Sequence, residues 1–230
     1  MRSISPSMRH RPTSLLIAFA LAACAGPSGV GRSSSESSLR AQARSDLPST
    51  RLTVVTLARS LLGSRQVAVN GKHYPDDCSG FVRAVYEHAG VNLMSDARAG
   101  DSGTHAIFRY AQRHGHVYQH GHPQPGDLVF FHDTYDKNRI GRSGSGLTHV
   151  GVVDAADSDG TVHIIHRVRR GVVRYRMNLI RPHLHWDPAS RQTLNDYLRI
   201  EGKQTHPVLT GELFAAYGSV LSSELKTASR

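Results

Sequence analysis

Cysteine is nearly absent from this chain: 230 residues hold two, Cys24 and Cys78. That count excludes a disulfide-stapled scaffold and the cysteine pairs of a structural zinc site. Aromatic residues make up only 7%, and no basic run is interleaved with them, so the pattern of a base-stacking nucleic-acid binder is missing. Apolar residues do not run far either. The stretch Ser14 to Ala23 is too short for a stable bilayer helix, which needs about 20 residues, and no second candidate span follows it. Internal repeats are absent, and acids are outnumbered, 18 against 28 Lys and Arg, for a net charge of +10.

What stands at the N-terminus is ordered. Arg2, Arg9 and Arg11, with no acid among them, precede the apolar stretch, which ends in Leu21-Ala22-Ala23-Cys24. A basic segment followed by a short apolar one reads as a secretory signal. Its ending resembles a bacterial lipobox, in which the cysteine becomes the lipidated first residue of the mature protein. Residues 1–24 are therefore expected to be a lipoprotein signal peptide with Cys24 as the lipidation site, and the membrane a partner through that lipid. An ordinary cleaved signal peptide is the alternative. Ala25 and Gly26, rather than an acid, follow Cys24; by resemblance to known sorting rules this points to the periplasm and the outer membrane. Loss of residues 1–24 leaves a net charge of about +7, which suits an anionic polymer as well as it suits a solvated face with no partner. Nucleic acid is not expected as a partner of an exported protein.

Residues 25–50, rich in Ser with Gly, Arg and Ala, lack the apolar content for a core and read as a flexible tether. Leu52, Val55, Leu57, Leu61 and Leu62 then recur at helical spacing up to Gly63, predicting a helix over about 51–62. Phe81, Val82, Val85, Tyr86 and Ala89 predict a second helix that begins near Cys78 and stops at Gly90. A short helix is expected over Ala106 to Arg113. Strands are expected over Leu128 to Phe131, Thr148 to Ala155, Thr161 to Arg167 and Val172 to Met177, the second and third joined by a turn at Asp157-Ser158-Asp159-Gly160. Helices followed by antiparallel strands make an α+β domain over 51–182. Leu213, Phe214, Tyr217, Val220 and Leu221 predict an amphipathic helix in a C-terminal extension, 183–230, of unknown role.

With Cys24 assigned to the lipobox, Cys78 has no disulfide partner, a liability outside the cytosol unless the thiol is inert or chemically used. Thiols attack carbonyls as thiolates, and a helix N-terminus favours that charge. The base must come from fifteen histidines. His149 opens a strand beside Gly151 on the same face; His166 lies on the antiparallel return strand, where pairing brings it near His149 to orient the imidazole. His163 is out of phase with His166 and points to the opposite face.

The series Asp77-Cys78-Ser79-Gly80-Phe81-Val82, Pro125-Gly126-Asp127-Leu128-Val129-Phe130-Phe131, His149-Val150-Gly151-Val152-Val153 and Ile164-Ile165-His166 resembles the successive motifs of the NlpC-type cell-wall endopeptidases. The resemblance spans about 51–177. It implies a papain-like fold, with Cys78 as nucleophile at a helix N-terminus, His149 as base and His166 as the third polar residue. It further implies contacts from Asp77 and Ser79 to the substrate, a peptidoglycan stem peptide. Tyr74 is a candidate for the family's tyrosine near the oxyanion site. The implied bond joins D-glutamate, through its γ-carboxyl, to meso-diaminopimelate, or lies within a cross-link. Two departures touch substrate contacts: Ser95-Asp96 stands where the family has Pro-Arg, and Val67 to Pro75 replaces an aromatic-Gly-Gly approach to the cysteine.

Other readings remain open. One is an amidase cutting between muramic acid and L-alanine; another is a non-catalytic wall-binding lipoprotein. A metal site is suggested by His163 and His166, by His183 and His185, and by the histidines from His114 to His122. No cofactor or metal is expected, because His163 and His166 diverge on a strand rather than converging as they would on a helix. The oligomeric state is not encoded in any of these features.

Overall fold

The computed structural model describes residues 49–134, 146–199 and 207–221. The expected signal peptide with Cys24 lies outside the described residues, as does the tether except for residues 49 and 50, which are already helical. The first helix, α1, covers 49–60 and buries Val54, Val55 and Ala58. A two-residue hairpin follows, β1 (Ala68–Val69) and β2 (Lys72–His73), closed by Asn70 and Gly71 with φ of 50° and 76°.

Helix α2 runs Cys78–His88 and α3 runs Gly103–His114. Phe81, Val82, Val85 and Tyr86 of α2 are fully buried, each contributing roughly 1.5–3 kcal/mol from burial. Gly90, at φ 84°, closes α2 as expected: its N–H donates to Glu87 O at 3.0 Å and that of Val91 to Tyr86 O at 2.9 Å. Next come β3 (His116–Tyr118), β4 (Leu128–His132), β5 (Leu147–Ala156), β6 (Thr161–Val168) and β7 (Gly171–Asn178). The remaining elements are β8 (Trp186–Asp187), β9 (Gln192–Thr193), β10 (Tyr197–Arg199), β11 (Val208–Leu209), the one-turn helix α4 (Thr210–Leu213) and β12 (Phe214–Ser219).

Six strands form one antiparallel sheet in the order β3-β12-β4-β5-β6-β7. On one side, residues of α1, α2 and α3 such as Ala58, Phe81, Tyr86 and Ile107 pack with Phe130, Val150, Val152 and Ile165. On the other, Val129, Phe131, Val153, Ile164 and Met177 pack against Leu198, Val208 and Leu213 from the C-terminal segment. Helices on an antiparallel sheet make the α+β layout expected from the sequence.

The C-terminal expectation needs correction. Where residues 183–230 are described, the expected amphipathic helix is absent: Phe214, Tyr217 and their neighbours form β12, a strand between β3 and β4. The helical spacing misleads because β12 is bulged between Phe214 and Ala216 and flanked on both edges, so it does not alternate as a half-exposed strand does. Its small residues are a packing requirement. A Cβ on Gly218 would lie 3.0 Å from the Phe130 ring and 3.2 Å from Ala111 of α3.

Buried polar groups weld this segment to β7. The Asn195 amide donates to Arg181 O and Leu184 O, both at 2.9 Å, and its Oδ1 accepts from the Asn178 N–H at 2.8 Å and the Thr210 hydroxyl at 3.4 Å. Asn178 and Asn195 are both inaccessible to solvent.

Candidate active site

Cys78 is the first residue of α2, and the local sequence explains why the helix starts there. The Asp77 carboxylate caps it, accepting from the Gly80 N–H at 2.8 Å and the Ser79 hydroxyl at 2.7 Å. Gly80 is demanded by contact: a Cβ there would lie 1.9 Å from Pro75 O, so only glycine lets the incoming loop lie across the first turn. Asp76 holds that loop by accepting from the Val67 N–H at 2.8 Å.

The thiol is half-buried. The backbone N–H groups of Val150 and Ser79 and the Thr104 hydroxyl, 3.9 Å from Sγ, favour its thiolate, but burial outweighs them and pushes the Cys78 pKa up, with the Asp77 charge adding to the rise. The helix start was expected to lower that pKa. Desolvation reverses the expectation, because withdrawing an anion from water costs more than a few N–H dipoles return.

Val150, whose N–H reaches the thiol, directly follows His149 on β5. His149 is 7% exposed, and its Nε2 lies 2.7 Å from Nδ1 of His166 on β6, leaving Nδ1 of His149 without a hydrogen-bond partner among the described residues. Burial lowers the His149 pKa to about 4, against an opposing pull from the Asp77 charge. His166, 1% exposed, is likewise pushed well below the usual imidazole range by burial, by His149 and by Arg170. Both imidazoles are thus neutral near pH 7. The register that makes them meet depends on Gly151, where a Cβ would lie 2.8 Å from Ile164 Cγ2 and 3.1 Å from His166 Cβ. Among the described residues Nε2 of His166 has no hydrogen-bond partner, and its ring stands edge-on to Tyr175 at 4.6 Å.

Cys78 and His149 line one groove of about 440 Å³, together with Asp76, Asp77, Ser79 and Thr104. Thr134 and Thr148, whose hydroxyls lie 2.9 Å apart, and Leu198 extend it, as does the β6–β7 turn through Arg167 and Arg169. The structure therefore gathers Asp77, Cys78, Ser79 and His149 and sets His166 behind His149. Tyr74 is not among them. Its ring is 9% exposed, packed in the core beneath Lys72 Nζ at 4.9 Å, and does not line the groove, so the oxyanion assignment has no geometric footing. Asp96, one of the departures from the family pattern, ties its loop to α3 by pairing with Arg113 at 2.7 Å and His114 at 2.5 Å.

Sequence reasoning missed Thr104 and Arg169, which reach the groove through a loop-borne helix start and a hairpin turn, features with no local periodicity. Among the described residues no group of three or more His, Cys, Asp or Glu is placed to hold a metal ion. His163 instead pairs with Asp157 at 2.7 Å, and His183 with Glu212 at 2.9 Å. A half-buried thiol, a neutral imidazole with a free nitrogen and a second imidazole behind it can together pass a proton and form a covalent bond to a carbonyl. A model of the NlpC/P60 family matches residues 66–183. No curated protein and no solved structure matches the chain.

Proposed function

Because the chain belongs to the NlpC/P60 family, a papain-like family of cell-wall cysteine peptidases, we propose that it is an endopeptidase cutting a stem-peptide amide of peptidoglycan through an acyl-enzyme on Cys78. The bond is the one between the γ-carboxyl of D-glutamate and meso-diaminopimelate, or one within a cross-link. The observation that carries the reading is the shared groove of Cys78 and His149, with His149 held from behind by His166.

The chemistry follows from the proton positions. For Nδ1 of His149 to accept the thiol proton, Nε2 carries the hydrogen and donates it to Nδ1 of His166. Burial raises the Cys78 pKa and lowers that of His149, so the resting pair is thiol and imidazole rather than an ion pair. Proton transfer to His149 then accompanies attack of Sγ on the amide carbonyl, a C–S bond forms, and the imidazolium returns its proton to the leaving amine as the C–N bond breaks. Water, deprotonated by His149, hydrolyses the thioester and restores the thiol. Asp77 and Ser79 border the reacting sulfur and are assigned to substrate contacts.

Lipidation at Cys24 and a periplasmic location belong to the same proposal, supported by the order of Arg2, Arg9, Arg11, the apolar stretch and the small residues before Cys24. Fatty-acid labelling that persists in Cys24→Ser would remove this part. For the activity, purified sacculi are digested and the fragments identified by mass spectrometry. Cleaved stems with the wild type and none with Cys78→Ser are expected, whereas identical products from both reject the reading; release of whole stem peptides would assign an amidase instead.

A further inference from the structure

Three arginines stand at the end of β6 and in the turn to β7, and two of them are committed. Arg167 donates through Nη2 to Arg65 O at 2.7 Å and through Nη1 to Val168 O, which braces the turn against the loop before β1. Arg170 donates to the Tyr175 hydroxyl at 3.1 Å, its guanidinium 5.4 Å from that ring. Arg169 is exposed and lines the groove with Cys78 and His149, and no hydrogen bond or ion pair engages it among the described residues. The turn that presents it is fixed, because the Val172 N–H donates to Ser64 O and the Gly63 N–H to Val172 O, each at 2.9 Å.

The nearest acids along the groove do not serve as its partner. Asp77 accepts from the Gly80 N–H and the Ser79 hydroxyl and Asp76 from the Val67 N–H, each through Oδ1, and among the described residues neither acid forms an ion pair with Arg169. A groove lined by both the thiol and an unspent guanidinium, carried on a braced turn, is complementary to an anion on the substrate, and a planar fork of donors matches a carboxylate best. The substrate class proposed above has one at the right place. When D-glutamate is linked through its γ-carboxyl, its α-carboxylate stays free within the residue that the thiol acylates.

We infer that Arg169 binds this α-carboxylate and thereby makes the enzyme selective for stems in which it is free over stems in which it is a carboxamide. The inference rests on the proposed function and deepens it. A carboxamide carries no charge and turns an NH2 group, itself a donor, toward the guanidinium donors, so amidation removes the attraction and leaves one polar contact poorly made. Arg169 is thus a specificity residue, and amidation of the stem is a modification that shields the wall from this enzyme.

The test compares L-Ala-γ-D-Glu-meso-diaminopimelate with its α-carboxamide counterpart. Wild type, Arg169→Gln and Arg169→Lys are assayed for kcat/KM on both peptides, and Cys78→Ser, with and without Arg169→Gln, for affinity by calorimetry. A charge-assisted contact predicts a preference for the acid of roughly tenfold or more. Arg169→Gln is expected to bring the ratio close to one by weakening the acid form alone, with Arg169→Lys in between. Thermal melts check that the exposed, unpartnered site tolerates substitution. Equal handling of the two peptides by the wild type, or a preference that survives Arg169→Gln, overturns the assignment. If the wild type cleaves neither peptide nor sacculi, the proposed function fails, while the acid-to-amide ratio in the Cys78→Ser binding data still decides the role of Arg169.

Discussion

Mild acidification, above the range in which carboxylates titrate, should destabilise this protein through a histidine. Burial holds the His149 pKa near 4 in the folded chain, against 6.5 for an unperturbed imidazole. Above pH 6.5 neither state binds the proton, so the full stability is present. Between 6.5 and 4 the unfolded chain takes up a proton that the folded chain refuses, and stability falls by about 1.4 kcal/mol per pH unit. Below 4 both states are protonated and this loss stops. From about pH 7.5 to about pH 4.5 the fall amounts to roughly 2.5 kcal/mol, a large share of the 5–15 kcal/mol that a typical domain has. His166, displaced in the same direction, steepens the decline. Urea unfolding of the wild type and of His149→Gln across that interval isolates the contribution, because everything the two proteins share cancels in the difference. The wild type should lose about 2.5 kcal/mol more than the variant. Two stability curves running parallel over the interval would refute the buried neutral imidazole. The same group sets the acid limb of kcat/KM, expected with a midpoint near pH 4.

The other predictions test neighbouring links. Since burial raises the Cys78 pKa, alkylation by iodoacetamide with the groove empty should accelerate with pH along a curve whose midpoint exceeds the ordinary 9.0; a midpoint below neutrality would mean a preformed ion pair. His166→Leu removes the acceptor for His149 Nε2 and should lower kcat by about 100-fold with KM little changed, judged by the cost of disturbing comparable triads; unchanged kcat would relieve His166 of any orienting role. Gly151→Ala places a Cβ 2.8 Å from Ile164 Cγ2 and should cost about 1–3 kcal/mol by overpacking, read by denaturant midpoint and by weakened activity. Asn195→Ala strands the Asn178 N–H and two carbonyls in a dry site and should destabilise by roughly 3 kcal/mol; a loss below about 0.5 kcal/mol would show that the polar weld is dispensable.

Elements with a clear local period were legible in the sequence. The stripe of Phe81, Val82, Val85 and Tyr86 marked α2, and the Asp157 to Gly160 turn marked the β5–β6 hairpin, but the bulge between Val153 and Ala155, which shifts the register so that His149 and His166 share a face, left no local signal. What stayed hidden depends on distant contacts. β12 is recognisable only when β3 and β4 are seen to leave a gap that residues as small as Ala216 and Gly218 fit. The sign of the Cys78 shift follows from how much protein covers the sulfur, which α3 and β5 determine and no window of sequence reveals. Tyr74 looked available because it lies close to Cys78 along the chain, yet the hairpin of β1 and β2 turns its ring into the core.

The position of β12 also bears on when an active enzyme can exist. It reaches its place after every other strand of the sheet has been synthesised, and β3 pairs with nothing else in that sheet. A fragment ending at residue 183, where the family match stops, would carry Cys78, His149 and His166 and still leave one edge of β4 bare. Such an edge invites pairing between molecules, so the fragment should be recovered as aggregate. In the nascent polypeptide the same order of events would postpone the proposed activity: Cys78, His149 and His166 exist early, but the sheet that carries the two histidines is completed last.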